Sequence, residues 1–216
     1  MKRCAPVHAG VRSRPVSGIG TPGACMKICV PVAAATNETA LVLMDRALAE
    51  ADLVEIRLDA IGKPDLKRLL RGRRGRVLVT NRSAAEGGAF DGPEARRVAF
   101  LREAVALGAA YVDIEAATGA GLIRTLRETL RDQGGATKLV VSWHDFAGTP
   151  PARALRKKLQ ELMAFEADVV KLVTRAETVA DTFRVLELIP AARRRGQQIV
   201  AFAMGTPGRE IGRAHV

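Results

Sequence analysis

The 216-residue chain has few aromatic side chains: one tryptophan, one tyrosine and six phenylalanines. Proteins that hold single-stranded nucleic acid usually stack the bases on such side chains, and this sequence offers no such platform. The chain also lacks any apolar run near the ~20 residues that a membrane-spanning helix needs. We therefore expect neither a nucleic acid nor a membrane as partner.

Acidic residues are outnumbered by basic ones, which gives a formal net charge of +11. A basic balance suits a nucleic-acid partner or an anionic substrate. Many of the arginines are scattered over predicted helical faces, so a solvated basic surface is the better interpretation. A non-enzymatic, nucleic-acid-binding protein remains an alternative that depends on the net charge alone.

Cysteine is scarce as well. Cys4, Cys25 and Cys29 lie near the N-terminus, without the spacing of metal ligands and without a nearby histidine cluster. This usage predicts no metal and no disulfide framework, and it is typical of a reducing, cytoplasmic location.

The sequence has no dinucleotide-binding glycine fingerprint after its first predicted strand. Short apolar runs alternate with longer helical patterns, which predicts βα units around a parallel sheet. The predicted strands are Ile28–Ala33, Leu53–Leu58, Arg76–Thr80, Tyr111–Ile114, Lys138–Trp143, Asp168–Val173 and Gln198–Ala203. The predicted helices are Glu38–Ala51, Pro64–Leu70, Pro93–Leu107, Ala120–Asp132, Pro151–Phe165 and Thr178–Arg194. Asn37 is the predicted cap of the first helix, and Pro64, Pro93 and Pro151 are placed in first turns. The pattern predicts an α/β fold, a (β/α)8 TIM barrel truncated after its seventh strand.

The two ends of the chain differ from the part between them. Residues 1–25 are basic, contain no acid, and lack the apolar core of a secretory signal, so we expect a disordered extension or a mis-called start before Met26. Residues 26–209 form the predicted barrel domain. Residues 210–216 match a translated sequencing adapter, which predicts a non-native tail in which Arg213 and His215 carry no function.

One lysine, Lys171, lies within the apolar run Val169–Val173, which is typical of a strand buried on both faces. An unpaired ammonium is so costly to bury that it tends to lose its proton, and a neutral amine is a nucleophile towards carbonyl carbon. Lys171 is therefore a candidate Schiff-base lysine. The structural alternatives are a lysine that reaches solvent at the strand end and a lysine paired with a carboxylate.

Other polar side chains follow the predicted strands at the end where barrel enzymes build their sites. Glu55 and Arg57 are two residues apart and share one strand face, so they either point into the site or form an internal ion pair. Arg82 and Glu86 precede a glycine pair after the third strand. His144 follows the fifth strand, where a histidine is well placed to move protons.

Four motifs in order resemble the type I 3-dehydroquinate dehydratase family of the shikimate pathway. They are the Glu-x-Arg-x-Asp of residues 55–59, the Arg-Ser-Ala-x-Glu-Gly-Gly of residues 82–88, the Ser-x-His-Asp-Phe of residues 142–146, and the lysine strand. The resemblance covers nearly all of the chain from Met26 to about Arg209.

The resemblance implies an enzyme, a carbon–oxygen lyase that converts 3-dehydroquinate to 3-dehydroshikimate without a cofactor or metal. Lys171 would form a Schiff base with the ketone, His144 would act as general acid and base, and Glu86 would hold the histidine. The family pattern also assigns Glu55, Arg57 and Arg82 to substrate binding and makes a homodimer possible.

The sequence departs from the family pattern in two places. Pro31 occupies the position of a serine that contacts substrate, and Ile211 and Gly212 occupy the positions of a Ser-Arg pair whose arginine binds the substrate carboxylate. Two alternatives therefore accompany the dehydratase prediction: another Schiff-base barrel lyase, of the class I aldolase type, and an inactive truncated fragment.

Overall fold

A computed structural model describes residues 27–73 and 75–210 of the chain. The predicted N-terminal extension, the proposed start at Met26, Cys4, Cys25 and residues 211–216 with Arg213 and His215 lie outside the described residues. No helix within the described ranges is long and apolar enough to cross a membrane.

Seven parallel strands alternate with helices along the chain. The strands are β1 (Cys29–Val32), β2 (Leu53–Arg57), β3 (Val77–Thr80), β4 (Tyr111–Glu115), β5 (Lys138–Asp145), β6 (Val169–Arg175) and β7 (Gln198–Met204). The helices are α1 (Asn37–Glu50), α2 (Leu66–Leu70), α3 (Glu94–Ala106), α4 (Ala120–Asp132), α5 (Ala152–Met163), α6 (Val179–Leu186), α7 (Leu188–Arg193) and α8 (Thr206–Glu210). Short 3-10 turns follow β2, β3 and β4 at Leu58–Ala60, Ala84–Glu86 and Ala116–Thr118.

The strands pair in chain order from β1 to β7, so the sheet has no point at which the strand order reverses. This order confirms the predicted (β/α) barrel and excludes a doubly wound sheet. The described strands supply seven of the eight strands of such a barrel, with β1 and β7 at the two edges. Cys29 and Pro31 on β1 are exposed, so the interior of the curved sheet is open to solvent on that side.

The main core lies between the sheet and the surrounding helices. Strand residues such as Val54, Ile56 and Val112 contribute the sheet side, and Leu101 and Leu126 contribute the helix side. These side chains are fully buried. Each adds about 1.5–3 kcal/mol of hydrophobic stabilisation, which holds the strand ends in fixed positions.

Inside the curved sheet, a small apolar layer lies beneath the polar strand ends. It consists of Leu78, Val140 and Val169, with Tyr111 and Val200 packed against them. Because successive side chains of a strand alternate between faces, the inward-facing residue two positions further along each strand comes next. Those residues are polar on four neighbouring strands: Thr80, Asp113, Ser142 and Lys171.

The helix ends correct several predictions. Thr36, not Asn37, caps α1 by accepting the backbone N–H of Thr39 at 3.2 Å. Asn37 instead binds the loop before α2, through the carbonyl of Lys63 and the N–H of Asp65. The side chain of Asp65 caps α2, so Pro64 precedes that helix.

Three further prolines lie at helix starts. Pro93 and Pro151 have extended backbones and directly precede α3 and α5 instead of lying in their first turns. The helix predicted over 178–194 is divided into α6 and α7. Pro190 falls in the first turn of α7, where its missing N–H leaves no hydrogen bond unmade, and this position explains the break.

Candidate active site

The register of β5 and β6 places the predicted lysine and histidine on neighbouring strands. Ser142 pairs with Lys171, and His144 pairs with Val173. Directly paired residues of neighbouring strands share one face of the sheet, and so do residues two apart along a strand. Lys171 and His144 therefore face the same side, with His144 one layer nearer to the carboxyl end.

Two carboxylates hold the ammonium of Lys171. Its Nζ lies 3.3 Å from Oε1 and 3.4 Å from Oε2 of Glu55, and 3.3 Å from Oδ2 of Asp113. Burial lowers the pKa of Lys171, but Glu55 and Asp113 raise it by a larger amount. The net pKa therefore lies above its ordinary value. The expectation of a neutral amine is therefore wrong. Of the structural alternatives for Lys171, the structure shows the lysine paired with carboxylates.

The carboxylate of Asp113 lies at the centre of the site. It accepts a hydrogen bond from Ser142 Oγ at 2.6 Å and one from Arg82 at 3.0 Å, in addition to its contact with Lys171. Burial raises the pKa of Asp113, but Arg82 and Lys171 lower it more strongly, and the result is a pKa far below its usual range. Asp113 is therefore an anion at any pH near neutrality.

Arg82 is almost fully buried, with 2% of its surface exposed. One guanidinium nitrogen donates to Ser142 at 2.7 Å and lies 3.0 Å from the carboxylate of Glu115, while another pairs with Asp113. The predicted substrate-binding arginine thus has three protein partners. In this structure it orders the site.

The opposite charges continue outward from Arg82. Glu115 pairs with Arg97 of α3, which is 1% exposed and also contacts Glu94 and Thr118. Glu115 accepts the backbone N–H of Ser83 at 3.0 Å as well. Lys171, Asp113, Arg82, Glu115 and Arg97 therefore form a chain of alternating charges, here called the charge chain, from the barrel interior to a surrounding helix.

Sequence reasoning missed most of the charge chain. Asp113 and Glu115 have the same two-residue spacing on β4 as Glu55 and Arg57 on β2, and that spacing was a signal for two more inward-facing ionisable groups. Arg97 carries no such signal, since a helix arginine in a basic sequence is typical of a solvated surface.

Glu55 and Arg57 do not pair with each other, so the internal ion pair that was the alternative for these two residues is absent. Glu55 accepts a hydrogen bond from Thr80 at 2.8 Å and contacts Lys171. Arg57 forms a bidentate pair with Asp59, at 2.9 and 2.7 Å, and its side chain remains 26% exposed. Arg57 is thus the member of the predicted set that solvent reaches most readily.

Asp59 also fixes the loop that carries Arg82 and Glu86. Its carboxylate accepts the backbone N–H groups of Arg82 at 2.9 Å and Ala89 at 3.1 Å. Burial raises the pKa of Asp59, but the bonds from Arg57 and the two backbone groups lower it below its usual value. The loop is therefore anchored to the end of β2 by an ionised side chain.

The same loop brings Glu86 against His144. Oε2 of Glu86 lies 2.8 Å from Nδ1 of the ring and also accepts the backbone N–H of His144 at 3.1 Å. An oxygen that accepts the backbone group is an acceptor for Nδ1–H too, which assigns the proton to Nδ1 and leaves a lone pair on Nε2.

Burial sets the protonation of this pair. It raises the pKa of Glu86 to about 7. Burial, with the positive charge of Arg82, lowers the pKa of His144 to about 3. The imidazole is therefore neutral at pH 7 and can accept a proton through Nε2.

Two glycines allow the loop to pack this closely. Gly87 has a φ of +76°, and a Cβ on it would lie 2.3 Å from the ring of Phe146, which stacks on His144. A Cβ on Gly88 would lie 2.1 Å from the carbonyl oxygen of Arg82. Both positions thus need the absence of a side chain.

The fold and the site together define a barrel enzyme with a buried, charged lysine and a neutral histidine at the carboxyl ends of its strands. Among the described side chains, no group of three or more histidines, cysteines, aspartates or glutamates is arranged to hold a metal ion. The chemical groups of the site are an amine, an imidazole, two arginines and several carboxylates.

Comparison with known proteins narrows this class to one family. The family model of type I 3-dehydroquinase matches residues 28–211. The chain is 36% identical over 182 residues to the 3-dehydroquinate dehydratase of Desulfotalea psychrophila, covering 84% of this chain and 79% of that one. It is 39% identical over 160 residues to the enzyme of Thermococcus gammatolerans, covering 74% and 70%.

Solved structures give the same result. The 3-dehydroquinate dehydratase of Enterococcus faecalis superposes with a TM-score of 0.76 at 27% identity, covering 86% of this chain and 82% of that one. The enzyme of Geobacillus kaustophilus gives the same score and identity, with 86% and 76% covered. The chain belongs to the type I 3-dehydroquinase family, whose members are carbon–oxygen lyases of aromatic biosynthesis.

Proposed function

We propose that the chain dehydrates 3-dehydroquinate to 3-dehydroshikimate through a Schiff base on Lys171. The observation that carries the proposal is the juxtaposition of a buried lysine, held by Glu55 and Asp113, with a neutral His144 on the next strand. Family membership favours dehydration over the aldolase-type alternative. The substrate is a small molecule, as for the related enzymes.

The first step joins the lysine nitrogen to the ketone carbon of the substrate. The ammonium first gives one proton to Nε2 of His144, and the neutral nitrogen then forms the C–N bond. That proton and a second one from the nitrogen leave with the carbonyl oxygen as water, so a protonated imine remains and His144 is neutral again. This cation withdraws electrons from the neighbouring carbon and makes its hydrogen acidic. A cyclic ketone without an activating metal gains its acidity in this way.

The second step is the proton transfer that eliminates the hydroxyl group. Nε2 of His144 takes the C2 proton, and the electrons of the broken C–H bond pass into the imine to give an enamine. The enamine electrons then expel the C1 hydroxyl, which takes the same proton from His144 and leaves as water. Hydrolysis of the imine returns Lys171 and releases the product. Proton transfer by a positioned side chain contributes typically ~10²–10⁴-fold to the rate.

The other predicted residues support these two. Glu86 holds Nδ1–H of His144 and so keeps Nε2 free for the substrate. Arg57, being partly exposed, is the arginine we assign to the substrate, while Arg82 acts through its buried partners. Glu55 touches Nζ of Lys171 and lies close to the reacting carbon once the imine forms.

Reductive trapping tests the proposal. The chain is incubated with 3-dehydroquinate and borohydride, and the modified peptide is identified by mass spectrometry. We expect one adduct, on Lys171, with no adduct and no dehydration in Lys171→Met. Lys138→Met, which removes a lysine at the opposite end of the neighbouring strand β5, is the matched control and should be trapped as the unaltered chain is. An adduct confined to another lysine, or dehydration by Lys171→Met, would contradict the mechanism.

A further inference from the structure

Asp113 has a place in the site that no part of the proposed mechanism uses. It is a fully buried anion that touches the reacting nitrogen, and Arg82 and Ser142 fix both of its oxygens. Glu55, the second carboxylate at Nζ, has a side chain that is 13% exposed, against 0% for Asp113. Of the two, Asp113 is the one that solvent does not screen.

We propose that Asp113 is the fixed counter-ion of Lys171 in both its ammonium form and its protonated imine form. The inference rests on the Schiff base proposed above and assigns a residue to it. Asp113 touches the reacting atom directly, and it takes no proton at any step.

The charge balance of imine formation explains why one fixed anion serves both states. An ammonium and a ketone give a protonated imine and water. Two of the three ammonium protons leave with the carbonyl oxygen as that water, and the third stays on nitrogen. The nitrogen carries one positive charge before and after the step, so an anion already in place stabilises the product without reorganisation.

The surroundings of Lys171 make this contribution specific. The charged or titratable groups that face it from other elements are Cys29 on β1, Glu55 on β2, Arg82 after β3, Asp113 on β4 and His144 on β5. Cys29 lies at the exposed edge strand, but the atoms around its thiol limit hydration of the thiolate, and this effect, with that of Glu55 second, raises its pKa to about 12, so this group adds no charge. His144 is neutral, and Arg82 opposes the positive charge of the lysine. Only the two carboxylates favour a cation on nitrogen among the groups that the structure describes.

The test compares pH profiles in Asp113→Asn, which keeps the shape of the side chain and removes its charge. Cyanoborohydride reduces protonated imines, so the rate of adduct formation with 3-dehydroquinate falls at the pH where the imine loses its proton. Methyl acetimidate modifies only neutral amines, so its rate on Lys171 without substrate reports the ammonium. Loss of an opposite charge within 4–6 Å moves such a pKa by about 1–3 units. We expect both profiles of Asp113→Asn to move to lower pH by at least about one unit.

Two variants separate charge from packing. Ser142→Ala removes a hydrogen bond to Asp113 but leaves the carboxylate charged, so its profiles should stay within a few tenths of a pH unit of the unaltered chain. Asp113→Glu restores the charge and should return both pH profiles most of the way to those of the unaltered chain. This variant keeps the test decisive if Asp113→Asn folds poorly. Near-ultraviolet circular dichroism of each variant checks the fold.

Three outcomes would overturn the inference: profiles of Asp113→Asn that match the unaltered chain, an equal shift in Ser142→Ala, or no recovery in Asp113→Glu. A different result would overturn the proposed function instead. If the unaltered chain forms no adduct on Lys171 at any pH, the Schiff base fails, while the methyl acetimidate profile still decides whether Asp113 is the counter-ion of the ammonium.

Discussion

Glutamine in place of Glu86 would separate the stability of this protein from its activity. The carboxyl group is buried, and its pKa is raised from an ordinary 4.5 to about 7. A raised pKa in an acid means that the fold favours the protonated form. The contribution of the protonated Glu86 carboxyl to the free energy of unfolding is therefore complete below pH 4.5 and is lost as the pH rises through 7. At about 1.4 kcal/mol per pH unit, the loss amounts to about 3 kcal/mol by pH 8.

Glu86→Gln removes this loss because an amide does not ionise. We expect the free energy of unfolding of the variant, relative to the unaltered chain, to rise by about 3 kcal/mol between pH 4 and pH 8. Urea unfolding at intervals of one pH unit measures the difference. Glu187→Gln, on the exposed surface between α6 and α7, is the control for the substitution itself. A difference that stays constant with pH, or that grows towards acid, would refute the assignment of Glu86 as a buried acid with a raised pKa.

Activity should move in the opposite direction in the same variant. A glutamine oxygen still accepts Nδ1–H of His144, so the ring keeps its orientation, but the charge-assisted hydrogen bond to the imidazolium is lost. Such bonds contribute about 1.5–3 kcal/mol, which corresponds to a fall of roughly 10- to 150-fold in kcat. A loss as large as that of His144→Ala would mean that Glu86 does more than hold the ring.

Two further predictions concern the loop and the charge chain. Gly88→Ala places a Cβ 2.1 Å from the Arg82 carbonyl oxygen. We expect it to lower the free energy of unfolding by about 1–3 kcal/mol and to lower activity by a larger factor than the loss of folded protein explains. Gly148→Ala, whose Cβ would have nothing within 4 Å, should change neither quantity. Equal effects of the two alanines on unfolding and steady-state kinetics would contradict this. Arg97→Met removes one of the two arginine partners of the buried Glu115 and leaves Arg82, so it should destabilise by about 1–3 kcal/mol, part of which Glu115→Gln in the same chain should restore. A loss below about 1 kcal/mol in urea unfolding would show that Arg97 is dispensable.

Much of the fold could be predicted because the inner strands of the sheet are largely buried on both faces. A strand with both faces covered is a continuous apolar run, and each of the seven runs appears in the structure within three residues of its predicted bounds. Helix ends were less predictable, since Thr36 and Asn37 are both good caps and only the position of the neighbouring loop decides between them.

The placement of Lys171, His144 and Glu86 near one another could be predicted from residue type and strand position, while their roles stay predictions. The site was not predictable where ionisation depends on distances between strands. Whether Lys171 is charged follows from the approach of Glu55 and Asp113 to about 3.3 Å, and β2 and β4 are not neighbours in the sequence or in the sheet. The partner of Arg57, by contrast, was only two residues away, in the same motif.

The charge chain also constrains how this protein can change over time. The three cations of the charge chain are balanced by its two anions, Asp113 and Glu115, together with Glu55, which also contacts Lys171, so the group as a whole is neutral. Losing a single member would leave an uncompensated opposite charge in the interior, whereas an oppositely charged pair could be replaced by two neutral side chains. Lys171 is fixed by the proposed chemistry, so natural variation at Glu115 on β4 and Arg97 on α3 should be correlated, with tolerated differences arising at both positions together.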